Sequence, residues 1–306
     1  KDGSFDELMY LLPSGEPIYF SIDNAQAATS TRVDFLRSGG GLGLNLTGLG
    51  MVPRMWDGGP IHEHQEYAGR ITMVDGTTRN TNSFHSIHVM GTMIASGTFS
   101  GRSDAKGMAP QATARSFDWN EDESEAIAEA MNGMLLSNHS YGVPIANVPG
   151  SWYMGAYTQD SYNLDVIAYN FPYYLPVMSA GNDGTNNNNT NPIASGFDKL
   201  TGNKTSKNAL IVANAQDATI AADGSLTSVI INSGSSQGPT DDRRIKPDIA
   251  GNGTGVLSTV ATSNTATDSY DGTSMSSPNV SGTLLLVQQH HKNLTNGFMK
   301  SATLRG

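Results

Sequence analysis

Short apolar runs alternate with longer amphipathic stretches along most of the chain. The short runs predict buried strands at residues 51–56, 112–117, 134–136, 174–179 and 211–213. The longer stretches predict helices at residues 85–96, 120–132 and 153–170, and another helix that begins near Ser274. The predicted strands end in turns rich in Gly, Asn and Ser, so polar side chains accumulate where the strands finish.

The first 45 residues have a different pattern, which predicts an N-terminal arm. Short apolar pieces alternate there with Ser, Asp and Gly, and three consecutive glycines at 39–41 close the region as a flexible joint. We expect residues 1–45 to pack on the surface of one domain spanning residues 1–306, because α/β folds of this size commonly form a single domain.

Composition excludes several classes of function. The chain has no cysteine, so disulfides, zinc–thiolate sites and cysteine nucleophiles are ruled out together. Its formal charge of −10 argues against nucleic acid and anionic membranes as partners, since both require a basic surface. No stretch approaches the roughly 18 to 20 apolar residues that a membrane-spanning helix needs. The oligomeric state is left open.

The Gly-Thr-Ser-Met-Ser-Ser-Pro sequence at residues 272–278 predicts a tight turn that leads into a buried helix. We expect Pro278 in the first helical turn, where its missing N–H has no intrahelical role. Free N–H groups at a helix start favour negative charge, so the hydroxyl of Ser274 would lie beside a potential oxyanion site. Taken alone, the same residues are an ordinary helix cap.

Two further polar groups follow predicted strands or open helices. Asp57 ends a strand and precedes two glycines, which is either a plain turn or a carboxylate at the carboxyl end of a parallel sheet. His85 opens the next helix, whereas His88 lies one turn later and is expected to be a packed, hydrogen-bonded structural residue. His62 and His64 have no third ligand at a defined spacing, so no metal site is predicted.

Asn182 lies between glycines after another strand, a position typical of a turn but also suited to donating an amide N–H at close range. An Asn-rich loop at residues 186–189 follows it and has no pattern that specifies calcium ligation. We therefore expect no cofactor for the chemistry, and a structural calcium ion is left open without being indicated.

The nucleophile string resembles that of the subtilisin-like serine proteases (subtilases), Gly-Thr-Ser-Met-(Ala/Ser)-x-Pro. The other motifs resemble the same family in the same order, namely Asp57, His-x-x-His from His85, Gly-Met-Ala-Pro at 107–110, Ser140-Tyr141-Gly142 and Ala-Gly-Asn-x-Gly around Asn182. Ser86 and Ile87 depart from the family's Gly-Thr between the two histidines. The resemblance covers residues 45–300.

The resemblance implies an α/β fold with three layers, a mostly parallel central sheet with helices on both faces. It implies a serine endopeptidase in which Asp57, His85 and Ser274 are catalytic, Asn182 forms the oxyanion hole, and polypeptide substrates pair with Ser140, Tyr141 and Gly142. Tyr141 is equally compatible with a surface aromatic. A catalytically impaired binding scaffold and a transpeptidase are the alternatives.

Two expectations concern the rest of the protein. A thiol-free surface rich in Gly, Asn and Ser suits a secreted or otherwise extracytoplasmic protein, and residues 1–30 contain no signal-peptide pattern, so signal and any pro-peptide would be missing from this chain. Subtilase domains continue beyond the nucleophile helix, so we expect truncation near Gly306.

Overall fold

The computed structural model describes residues 6–11, 17–21, 24–76, 78–186 and 197–306. Within these ranges the strands, numbered in chain order, are β1 (Asp6–Leu11), β2 (Pro17–Ser21), β3 (Arg54–Asp57), β4 (Ile71–Met73), β5 (Ala114–Asp118), β6 (Leu136–His139), β7 (Leu175–Ser179), β8 (Leu210–Ala215), β9 (Thr219–Ile220), β10 (Leu226–Ser228), β11 (Ile249–Asn252), β12 (Val256–Thr259) and β13 (Thr267–Tyr270). The helices are α1 (Asn24–Ser30), α2 (Val33–Leu36), α3 (Ser83–Ile94), α4 (Asp122–Met131), α5 (Gln159–Asn170), α6 (Thr273–Thr295) and α7 (Ser301–Arg305).

Seven strands form one parallel central sheet in the order β11-β8-β7-β6-β3-β5-β4. β6, β7 and β8 are buried along their whole length, as expected for parallel strands covered on both faces. Because all seven strands run the same way, the residues that follow them collect at a single edge. That edge receives Asp57, Ser140 and Asn182.

The two faces of the sheet are separated by the alternation of side chains along each strand. Met55 packs with Ile87 and Met90 of α3, whereas the next residue, Trp56, packs with Ala126 of α4 and residues of α5. Helices α3 and α6 therefore cover one face, and α4 and α5 cover the other. This is the three-layer α/β architecture expected from the resemblance, and that prediction is confirmed.

The N-terminal segments combine a hairpin with two short helices. β1 and β2 pair antiparallel. Ala27, Ala28 and Val33 are buried in the same core cluster as α3 and α6. The backbone carbonyl of Ala27 accepts a hydrogen bond from the Nδ2 of Asn279 at 3.2 Å, which links α1 to α6.

The element boundaries differ from the predicted ones at two informative places. The helix expected from residue 153 begins at Gln159, because Gly155 has a φ of 79°, outside the right-handed helical range. The strand expected over residues 51–56 begins at Arg54, after Pro53, which lacks a ladder donor. Among the described helices, none is both long and apolar enough to cross a bilayer.

Candidate active site

Ser274 is the second residue of α6, directly after the turn at Gly272. Its hydroxyl donates to the backbone carbonyl of Ser140 at 3.0 Å. In return, the hydroxyl of Ser140 donates to the carbonyl of Ser274 at 3.1 Å. The start of α6 is thus joined by two hydrogen bonds to the segment that follows β6.

The expectation for Pro278 is wrong, because this proline lies inside α6, beyond its first turn. A helical residue normally donates to the carbonyl four positions earlier, and Pro278 has no N–H to donate to Ser274. The hydroxyl of Ser140 donates a hydrogen bond to that carbonyl instead. The proline therefore frees an acceptor that joins the helix to the neighbouring segment.

Asp57 and His85 are in direct contact. Asp57 is only 1% exposed, and its Oδ1 accepts from the N–H of Gly58 at 2.7 Å and from Nδ1 of His85 at 2.8 Å. Because the carboxylate is an acceptor, Nδ1 carries the proton and Nε2 of His85 keeps its lone pair in the neutral ring. Burial lowers the pKa of His85, but the charge and hydrogen bond of Asp57 outweigh it, so this pKa is raised above 6.5.

His88 has the structural role predicted for it. Its ring stacks on Tyr270 with centroids 4.3 Å apart, and its Nε2 donates to the carbonyl of Asp268 at 3.2 Å. Complete burial lowers its pKa to about 3, so the ring is neutral. Ser86 and Ile87, the residues that depart from the family pattern, are buried in α3 and leave the contact between His85 and Asp57 intact.

Asn182 is oriented by a residue to which the sequence assigned no role, Thr273. The Oδ1 of Asn182 accepts from the N–H of Thr273 at 2.9 Å and from its hydroxyl at 3.1 Å. A backbone N–H can only donate, so the oxygen of the amide must face Thr273 and its Nδ2 must face away. Thr273 is itself fixed by the N–H of Gly181, which donates to its hydroxyl at 3.0 Å.

His85, Asn182 and Ser274 open onto one cavity of about 440 Å³. Its lining residues are Phe84, His85, Asn182, Ser269, Tyr270, Asp271, Ser274 and Met275. Asp57 lies behind His85, on the buried side of the ring. Within the described residues Ser274 has no hydrogen bond to His85, because its hydroxyl is turned to Ser140.

The three residues after β6, Ser140, Tyr141 and Gly142, have different neighbours. Ser140 contacts Ser274, as described above. The hydroxyl of Tyr141 donates to Asp122 at 2.6 Å, and its ring lines a second cavity of about 360 Å³ beside α4 and α5. Gly142 lies against the side chain of Lys204, whose Cε and Nζ would be 2.5 and 2.6 Å from a Cβ built on this glycine. Of these three residues, Ser140 is the one with a hydrogen bond to Ser274.

A metal site was not predicted, and the described part of the chain contains no group of three or more His, Asp or Glu side chains placed to hold one. His64 uses Nε2 on the carbonyl of Ala266 at 3.0 Å and Nδ1 on the N–H of Glu66 at 3.2 Å. Neither ring nitrogen is therefore open to a metal. Residues 187–189 of the Asn-rich loop lie outside the described residues.

A family model described as the Subtilase family matches residues 62–305. The chain belongs to the subtilase family. The matched range includes His85, Asn182 and Ser274 and begins after Asp57. The subtilase resemblance inferred from the motifs is confirmed.

Several solved structures have the same fold. The CspB protease of Clostridium perfringens has a TM-score of 0.63 at 15% identity, covering 90% of this chain and 91% of that one. A cold-adapted subtilisin-like serine proteinase has a TM-score of 0.54 at 19% identity, with coverages of 86% and 82%. The PatG macrocyclase domain has a TM-score of 0.60 at 13% identity, with coverages of 85% and 81%. At these identities the likeness establishes the fold.

Proposed function

We propose that this subtilase is a serine endopeptidase with Ser274 as nucleophile, His85 as general base and Asp57 as the group that orients His85. The observation that carries the proposal is the hydrogen bond between Asp57 and Nδ1 of His85, with His85, Ser274 and Asn182 around one cavity. A serine hydroxyl is a poor nucleophile at neutral pH, so a neutral imidazole beside it is what the chemistry requires.

The reaction begins with rotation of the Ser274 hydroxyl away from the carbonyl of Ser140 and toward Nε2 of His85. The oxygen of Ser274 attacks the peptide carbonyl while Nε2 takes its proton, and Asp57 stabilises the imidazolium that forms. His85 then gives the proton to the leaving amine, and the C–N bond breaks to leave an acyl-enzyme. Water, deprotonated by His85, releases the acid product.

The negative oxygen of the tetrahedral intermediate needs donors that are already in place. Asn182 supplies its Nδ2, which the contacts of Thr273 with Oδ1 turn away from α6. The N–H of Ser274 is a second donor, because the first N–H groups of a helix have no intrahelical acceptor. Both donors require no reorganisation during the reaction.

The substrate is a polypeptide that lies along residues 140–142. Ser140, Tyr141 and Gly142 follow a buried strand and lead away from Ser274, so an extended substrate can pair with them as an added strand. No cofactor takes part in this mechanism. The extracytoplasmic location expected from composition stays a prediction.

Incubation of the full chain with an unfolded protein substrate, followed by mass spectrometry of the products, tests the proposal. We expect internal cleavage by the wild type and none by Ser274→Ala. Equal cleavage by both proteins would refute the nucleophile. An impaired binding scaffold, suggested by the Ser-Ile departure after His85, instead predicts no cleavage with either protein.

A transpeptidase is the second candidate, because a structurally similar domain is a macrocyclase. The acyl-enzyme is the same, but an amine replaces water and a new peptide bond forms. Adding an amine nucleophile such as glycinamide separates the two functions. A hydrolase yields mainly the free acid, whereas a transpeptidase yields mainly the amide.

A further inference from the structure

Lys204 is a buried lysine without a hydrogen-bonded partner for its ammonium group. It lies in the 3-10 turn Gly202–Thr205 and is 4% exposed. Within the described residues its Nζ makes no hydrogen bond, and the carboxylate that acts on its charge is that of Asp183. Burial lowers the pKa of Lys204 to about 8 while Asp183 opposes the change, so the group stays charged at neutral pH.

Two other buried lysines show what a satisfied ammonium group looks like in this protein. Nζ of Lys199 donates to the carbonyl of Gly184 at 2.6 Å. Nζ of Lys246 donates to the carbonyl of Ala209 at 3.0 Å and to Asp248 at 2.6 Å. A buried charge is costly without such partners. Lys204 therefore has hydrogen-bonding capacity that the described residues do not use.

The ammonium group of Lys204 lies between two glycines that flank the candidate active site. A Cβ built on Gly142 would lie 2.6 Å from this nitrogen, and one built on Gly181 would lie 3.1 Å from it. Gly142 is two residues after Ser140, which contacts Ser274, and Gly181 directly precedes Asn182. Since neither glycine has a side chain, the ammonium group reaches the gap between the two segments.

The position of this gap relative to a bound peptide follows from the proposed function, on which the inference rests. A carbonyl attacked by Ser274 has its oxygen toward Asn182, and the chain on its acyl side runs along residues 140–142. This path would direct the side chain of the residue that contributes the carbonyl toward the gap between Gly142 and Gly181. There it would meet the ammonium group of Lys204, which lies next to both glycines.

We propose that Lys204 is a substrate-binding residue that selects an acidic side chain, Glu or Asp, at the residue contributing the cleaved carbonyl. The carboxylate of such a side chain supplies the acceptor that Lys204 lacks, and the pair forms a charge-assisted hydrogen bond away from water. Glutamine has nearly the same shape without the charge. A lysine that only filled the space would instead favour Gly or Ala at this position.

Kinetics on one peptide series test the proposal. The peptides are identical except for Glu, Gln, Asp, Leu or Ala at the residue before the cleaved bond. We expect kcat/KM for Glu to exceed that for Gln by about 10- to 100-fold, the range of a hydrogen bond to a charged group. Equal rates for Glu and Gln, or fastest cleavage of the Ala peptide, would overturn the assignment.

Three variants link any preference to this side chain. Lys204→Met keeps the length without the charge and should cleave the Glu and Gln peptides at similar rates, whereas Lys204→Arg should keep the preference for Glu. Lys207→Met is the matched control, since it removes a charge whose nitrogen lies 4.6 Å from the Tyr157 ring. A preference that survives in Lys204→Met with an unchanged melting temperature would contradict the proposal.

Failure of the selectivity and failure of the proposed function give different results. An active peptidase without a preference for Glu refutes Lys204 alone. If no peptide is cleaved and Ser274 does not react with a fluorophosphonate, the peptidase function and the selectivity both fall.

Discussion

The two edges of the central sheet differ in whether their polar groups have hydrogen-bond partners. At the amino edge, before β8 and β11, Lys246, Asp248 and Arg305 pair with each other and with backbone groups. Asp248 also accepts from the N–H of Ile211 at 2.8 Å. At the carboxyl edge, Nε2 of His85, Nδ2 of Asn182 and Nζ of Lys204 have no hydrogen-bond partner among the described residues. Satisfied polar groups stabilise the fold, and open ones are available to a substrate.

Among substitutions at the carboxyl edge, removing the base should lower kcat the most. His85→Ala leaves Ser274 without a proton acceptor, so we expect kcat to fall by about 10⁶-fold, a magnitude borrowed from subtilisin, a member of this family. The melting temperature should fall only as far as the lost hydrogen bond to the buried Asp57 requires, so the protein should stay folded while its activity is lost. Steady-state kinetics on a cleaved peptide measure this loss. A fall below tenfold would remove His85 from the chemistry.

Asn182→Ala, at the same edge, should lower kcat less than His85→Ala does. We expect a loss of about 10²- to 10³-fold in kcat with a nearly unchanged KM, again a value known from subtilisin. Thr273→Val is the sharper variant, because it deletes the hydroxyl that accepts from Gly181 and donates to Asn182 but keeps the backbone N–H. It should lower kcat partially, and an unchanged kcat would mean that the hydroxyl does not position Asn182.

Charge removal at the amino edge should cost stability with little loss of activity. Asp248→Asn leaves the side chain of Lys246, 2% exposed, without an anionic partner. We expect the free energy of unfolding to fall by about 3–5 kcal/mol. Denaturant titration measures it, with Asp242→Asn as the control, because Asp242 pairs with Arg244 near the surface and should cost at most about 1 kcal/mol. Equal losses in both variants would show that the burial of Lys246 does not set the cost of removing its partner.

The pH dependence of activity should report the contact between Asp57 and His85. The base must be neutral, and Asp57 raises the pKa of His85, so kcat/KM should fall about tenfold per pH unit below a midpoint above 6.5. For stability the sign is opposite, since this pair stabilises the fold below pH 6.5 and loses that contribution as pH rises through the folded pKa. Asp57→Asn should lower the midpoint of the activity profile, and an unmoved midpoint would contradict the assignment.

Lys204→Met should have the smallest effect on stability. An ammonium group without a hydrogen bond contributes little to the fold, so replacing it with an apolar side chain of similar length should leave the melting temperature equal or higher. Lys246→Met should lower it, because Asp248 loses its closest cation. Thermal unfolding of the two variants side by side checks this. A destabilised Lys204→Met would show that Lys204 has a structural partner.

The sequence predicted those parts of the molecule that depend on local patterns. The helix of His85, the strand before Asn182 and the turn at Gly272 could be located from nearby residues, and the family motifs supplied their expected roles. Contacts between distant residues could not be located this way. Thr273 and Asn182 are 91 residues apart, and neither residue type signals the hydrogen bond that orients the amide. Lys204 lies in a polar stretch without any motif, so its burial depends on the tertiary fold.

The position of Pro278 also depends on a contact between distant residues, so the sequence did not predict it. A proline near a helix start is normally placed in the first turn, but here the helix extends further toward its N-terminus. What allows this is the hydroxyl of Ser140, which satisfies the carbonyl that Pro278 cannot reach. The sequence contains both residues, but only the fold brings them together.

The most direct test of the central claim is covalent labelling of the full chain with a fluorophosphonate, with the modified residue identified by mass spectrometry. A serine reacts this way only when a base and an oxyanion site surround it. We expect one modified residue, Ser274, and loss of the label in His85→Ala. Labelling that persists in Ser274→Ala, or an unmodified Ser274 in folded wild-type protein, would contradict the account.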